Sequence, residues 1–89
     1  MVHQTYVEAI LEWGERGPAS WVETWLADRG LRCTPMVRGL LVAGSPSAFE
    51  KAFGTNLAHT RTPVRLFVPK ELRRAVSSVT IPAPRQITS

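Results

Sequence analysis

The residues able to do chemistry are few and scattered. One cysteine, Cys33, and two histidines, His3 and His59, lie far apart along the chain. A zinc centre needs four ligands, or three and a water, and these three positions match no ligand spacing. A lone cysteine cannot close an internal disulfide. Cys33 reads as a small buried hydrophobe in a strand, because a reactive thiol needs a lowered pKa and a base beside it. Ser20, Ser77 and Ser78 lack the sharp strand-to-helix context that activates a serine nucleophile. Glu50 and Glu71 fall on exposed helix faces and not as a facing pair suited to general acid–base work. An enzyme is the least favoured class, and no cofactor or metal is called for.

Charge offers a second kind of chemistry. The chain has 89 residues and a formal net charge of +4, a length that suits one domain with a small core. Residues 1–30 hold five acids and two bases, whereas residues 31–89 hold nine bases and two acids. That asymmetry favours an acidic partner, protein or nucleic acid. Arg32, Arg38, Arg61, Arg65, Arg73 and Arg74 would supply phosphate contacts. RNA-binding sheets also stack bases on strand aromatics, and no strand here alternates aromatics with glycine and basic residues. Nucleic acid is therefore the weaker partner class. No apolar run reaches the roughly 20 residues of a membrane-spanning helix. "MVHQTYVEAILEWGERG" carries glutamates where a secretory signal has a basic region. The expectation is a cytoplasmic chain unless it is part of a larger exported precursor. The sequence leaves the oligomeric state open.

The elements that position these groups follow from periodicity. In "QTYVEAILEW" (residues 4–13), alternation places Thr5, Val7, Ala9 and Leu11 on one face of a strand. A helix would group Tyr6, Ile10 and Trp13; the breaking "GERGP" and the helix after it favour the strand. In "PASWVETWLADRG", Pro18 suits the first helical turn, Ser20 and Glu23 have capping-box spacing, and Trp21, Val22, Trp25 and Leu26 form an apolar stripe. Gly30 suits a left-handed C-terminus.

"LRCTPMVRGLLVAG" reads as a hairpin with Leu31, Cys33 and Val37 on alternate positions, turning at Arg38-Gly39 through a positive-φ glycine. Pro35 removes a ladder donor and marks the first of these strands as an edge, or as bulged there. Ser45 caps a second helix, Pro46 occupies its first position and Gly54 ends it. Ala48, Phe49, Ala52 and Phe53 face the sheet. Burying each phenylalanine is worth roughly 1.5–3 kcal/mol. Val64, Leu66 and Val68 alternate in an extended segment. "PKELRRAVSSV" reads as a third helix with Leu72, Ala75, Val76 and Val79 inward. A short strand and a proline-punctuated tail follow.

This order has the backbone β-α-β-β-α-β. It predicts an α+β ferredoxin-like plait: an antiparallel sheet, helices on one face and an extra C-terminal helix. The expected core is Trp21, Trp25, Leu26, Phe49, Phe53, Leu72 and Val76. Residues 1–84 would form one domain and residues 85–89 a flexible tail.

Three pieces of this order also match a known family. "GLLVAGSPSAFEKAFGTNL" is followed by "VPKELRRAVSSV" and preceded by "WLADRGL". Together they resemble the activation pro-domain of sedolisin (kumamolisin-type) serine proteases, over about two-thirds of the chain. The resemblance implies a plait like that of subtilisin pro-domains, acting as inhibitor, folding chaperone or both for a serine protease domain. It further implies that the C-terminal segment, Ile81, Pro82, Ala83, Pro84, Arg85 and Gln86, lies in the protease substrate groove. The chain departs from the family in being short and in carrying no Ser-Glu-Asp catalytic set. An adaptor on the same fold is the alternative, and an RNA-binding plait a more distant one.

Overall fold

A computed structural model of the protein describes residues 6–55 and 63–82. The chain runs β1 (Val7–Trp13), α1 (Ser20–Ala27), β2 (Arg32–Pro35), β3 (Gly39–Gly44), α2 (Pro46–Phe53), β4 (Val64–Leu66) and β5 (Val76–Ile81), with a single 3-10 turn at Lys70–Leu72 before β5. The architecture is α+β: two α-helices and a five-stranded sheet in the order β2-β3-β1-β5-β4, with every pairing antiparallel.

Alternation settles β1. Ala9 and Leu11 are fully buried, while Glu8, Ile10 and Glu12 point to the other face. Leu40 and Val42 of β3, Leu66 of β4, and Val79 and Ile81 of β5 join Ala9 and Leu11 in one core. The helices add Val22, Leu26, Phe49, Ala52 and Phe53 to that core. Both helices therefore cover the same side of the sheet.

The two helices end by the same device. Gly30 (φ 83°) and Gly54 (φ 62°) both adopt the left-handed conformation. After α1 the Leu31 amide donates to the Leu26 carbonyl and the Gly30 amide to Ala27, the nested pair of a Schellman ending. Leu26 and Leu31, both buried, seal it from the core side. At the start of α2 the Ser45 hydroxyl accepts from the Ala48 amide at 3.2 Å, and Pro46 occupies the first turn. Between the helices, Trp25 and Phe53 meet at 6.3 Å, and Phe53 stacks on Phe49 at 5.8 Å.

Several expectations need correction. The third helix shrinks to the 3-10 turn at Lys70–Leu72, and Val76 and Val79 belong to β5. The β-branched run Val76, Val79, Thr80 and Ile81 suits a strand, and pairing it with β1 satisfies backbone groups that a helix would leave exposed along that edge. Trp21 is 44% exposed and lies outside the core expected for it, while Trp25 is only partly buried. Helix α1 begins at Ser20 with Ala19 as an N-cap lacking a side-chain bond, so Pro18 precedes the first turn and Ser20 is not the cap. Upstream, Gly17 is held against Trp13 and the Ala75 carbonyl, where a Cβ would come within 2.9 Å of both. Val37 is fully exposed at the hairpin tip.

Gly39 does not take a positive φ. Its role is close approach: a Cβ there would overlap the Leu11 carbonyl oxygen on β1. The turn itself closes through the Met36 amide, which donates to the Gly39 carbonyl at 2.9 Å. Pro35 lies on β2, an edge strand, where its missing donor is tolerated.

Two kinds of substitution test this account by chemical denaturation. Phe49→Ala should lower unfolding free energy by about 3–5 kcal/mol, because Phe49 is fully buried. Gly39→Ala should cost about 3 kcal/mol or more through backbone displacement. Gly54→Ala, in open space but at positive φ, should cost only about 1–2 kcal/mol. Equal costs at the two glycines would contradict the close-approach role of Gly39.

Candidate interaction surface on the open face of the sheet

The side of the sheet away from the helices is built in rows by the strand register. One row reads Arg32, Ala43, Glu8 across β2, β3 and β1. The next reads Thr34, Leu41, Ile10, Thr80, Arg65 across all five strands. A third reads Gly39, Glu12, Ser78. The centre of the face is thus Ile10 and Leu41, with Ile10 36% exposed. Acids stand on the middle strand and arginines on the two outer strands.

A β-bulge fixes the third row. The β1–β5 register shifts between Glu12 and Trp13, which pair with Ser78 and Val76 and leave Ser77 as the extra residue. The Ser77 hydroxyl lies 3.3 Å from the Glu12 carbonyl oxygen and donates to it. The neighbouring Ser78 hydroxyl donates to the Glu12 carboxylate at 2.9 Å. Inserting one residue lets Val76, Val79 and Ile81 all reach the core although strict alternation would turn Val76 outward. Ser78 alternates with Val79 and so faces the open side, where it holds Glu12.

Among the described residues the basic side chains do not converge on one patch. Arg32 and Arg65 flank the open face, and Arg38 sits at the hairpin turn. Arg73 lies 4.7 Å from the Phe67 ring, and its Nε donates to the Val68 carbonyl at 3.2 Å. Arg74 is exposed, and Arg61 lies outside the described residues. Just past the end of α1, Arg29 covers Trp25 at 3.6 Å and donates to its carbonyl at 2.9 Å.

Of the segment assigned to a protease groove, Ile81 is buried and pairs with Val64 at the end of β5. Its side chain belongs to the core, so it cannot serve as a groove contact while the sheet is intact. Pro82 is exposed directly after it, and Ala83, Pro84, Arg85 and Gln86 lie outside the described residues. Leu26, Phe49, Phe53, Leu72 and Val76 are buried. The residues of the open face were missed as a set. Their signal was present: once Val7, Ala9 and Leu11 share one face, Glu8, Ile10 and Glu12 must share the other.

Among the described residues no cluster of three or more His, Cys, Asp or Glu side chains could hold a metal, and no helix is long and apolar enough to cross a membrane. His3 and His59 lie outside the described residues. Cys33 is half-buried on β2 beside the core. Burial, reinforced by the nearby charge of Glu23, pushes its thiol up to about 11.

Comparison with protein-family models, with curated proteins and with solved structures finds no match.

The raised thiol has a measurable consequence. At pH 8 the folded protein should react with iodoacetamide on the order of 100-fold more slowly than the unfolded chain, because the thiolate is the nucleophile. The same group links stability to alkaline pH. Its contribution is fully present below the ordinary value of 9.0 and is lost as pH rises through about 11. Cys33→Ser should flatten the fall in unfolding free energy between those pH values. Equal alkylation rates in native and unfolded protein would contradict the burial of the thiol.

Proposed function

We propose that this protein is an interaction module of the protease pro-domain type, acting as inhibitor or folding chaperone, or both, of a sedolisin- or subtilisin-type serine protease. The strand order β2-β3-β1-β5 with both helices on one side supports a ferredoxin-like plait, β-α-β-β-α-β, to which β4 adds an edge strand. The observation that carries the functional reading is the open face itself. It has an apolar centre, Ile10 and Leu41, a charged surround, and the exit of the chain after Ile81 at one end. A face of that kind suits a protein surface, with a depleted-charge centre and a polar rim.

The exit point matters because an extended peptide can add to substrate-binding strands of a protease through main-chain hydrogen bonds. The prolines at 82 and 84 reduce the ordering cost of such a segment. The groove contacts in this reading are Pro82, Ala83, Pro84, Arg85 and Gln86. The charge pattern of the face argues against RNA: Glu8 and Glu12 occupy the central strand, where a base-stacking sheet would carry aromatics, and they repel phosphate.

The test is inhibition of a sedolisin- or subtilisin-type protease by the full chain and by a chain ending at Ala83. Inhibition by the full chain that weakens at least tenfold on truncation is expected. Equal inhibition by both would move the contact from the tail to the sheet face. Absence of inhibition by either, across both protease types, would favour a non-inhibitory adaptor.

A further inference from the structure

We propose that the open sheet face also binds a second copy of this chain, with the two sheets crossed at close to a right angle. This proposal stands on the charge layout of the face and does not depend on the protease reading. Glu8 and Glu12 lie on the central strand, two residues to either side of Ile10. Arg32 and Arg65 lie two strands away, on opposite outer strands. The direct cross-strand neighbours of the two acids are uncharged: Ala43 beside Glu8, Gly39 and Ser78 beside Glu12.

A two-fold axis through Ile10 can run along β1, across the strands or along either diagonal, and the charges discriminate among them. An axis along β1 lays β2 over β4 of the second copy and brings arginine toward arginine. An axis across the strands lays Glu8 over Glu12 and Arg65 over its own copy. A diagonal axis crosses the sheets, an arrangement that sheet sandwiches use. Two strand spacings are about 10 Å, and two residues along a strand about 7 Å. Crossing carries Arg65 of one copy onto the line of β1 in the other: along one diagonal it lands near Glu8 and Arg32 turns toward Glu12, whereas along the other diagonal Arg32, which shares the row of Glu8, lands near its own copy. The first diagonal keeps the arginines apart and is the one assigned, with Glu8 as the partner of Arg65; Glu12 is already held by Ser78. Ile10 and Leu41 meet their counterparts at the centre, which gives the apolar core that a charge-matched rim requires.

Sedimentation equilibrium on the full chain tests this, with circular dichroism as the check on folding. The wild type should be dimeric at ~100 µM; a monomer at that concentration overturns the proposal. Leu41→Lys, and independently Ile10→Lys, should give a folded monomer. A folded variant that still dimerises would place the interface elsewhere and overturn it. Glu8→Arg and Arg65→Glu should each weaken association by about tenfold or more. The double variant should recover the wild-type constant within about twofold, and failure to recover overturns the crossed arrangement. The outcome is separable from the protease reading: inhibition by a chain that stays monomeric sinks the dimer alone, and a dimer that inhibits nothing sinks the inhibitor alone.

Discussion

Pairing β1 on both of its edges is the constraint on which the rest of the structure depends. Its partners, β3 and β5, are both distant in sequence, and each pairing demands a special local feature. On the β3 side Gly39, paired with Glu12, lies so close to the Leu11 carbonyl that only a glycine fits there. On the β5 side Ser77 is extruded as a bulge so that Val76 and Val79 both reach the core. With these two seams closed, β2 and β4 become the edges, and the helices have one apolar surface to cover.

Much of this was legible in the residues. The caps of α2 follow from Ser45, Pro46 and Gly54, each suited to one backbone position. Pro35 pointed to an edge or a bulge, and the alternation of Val7, Ala9 and Leu11 tipped an ambiguous segment toward a strand. What misled was local spacing altered by tertiary contacts. Leu72, Ala75, Val76 and Val79 recur at helical intervals, yet they arise from a 3-10 turn followed by a bulged strand. The set of buried residues was legible there, and the element type was not, because the bulge depends on a partner strand more than sixty residues away. Trp21 shows the same limit on a helix: the stripe of α1 is wider than the surface available to cover it, and the tryptophan at its margin stays half in water. The open face was readable only by complement, since a row across five strands exists only after the register is set.

The two faces of the sheet differ in what they bury. The helix side holds Phe49, Leu11, Leu26, Leu40 and Leu72 with almost no exposure and carries the stability. The other side contributes little apolar burial to the fold, with Ile10 36% exposed at its centre. Its polar groups are arranged with some care: Ser78 is almost entirely buried yet spends its hydroxyl on orienting Glu12. A surface glutamate held in this way loses less side-chain entropy on contact than a mobile one.

The sheet register also governs the order in which the chain assembles. The β2–β3 hairpin closes through a turn of a few residues, whereas Ile10 must find Thr80, about 70 residues along the chain. Loop-closure entropy rises with that separation and must be met before the contact stabilises anything. A topology dominated by such distant pairings folds on the millisecond-to-second scale and not in microseconds. Until β5 arrives, β1 presents an unpaired edge with Ala9, Ile10 and Leu11 beside it, a template for strands of other chains. The slowest seam to close is therefore also the one whose delay exposes the chain most to aggregation.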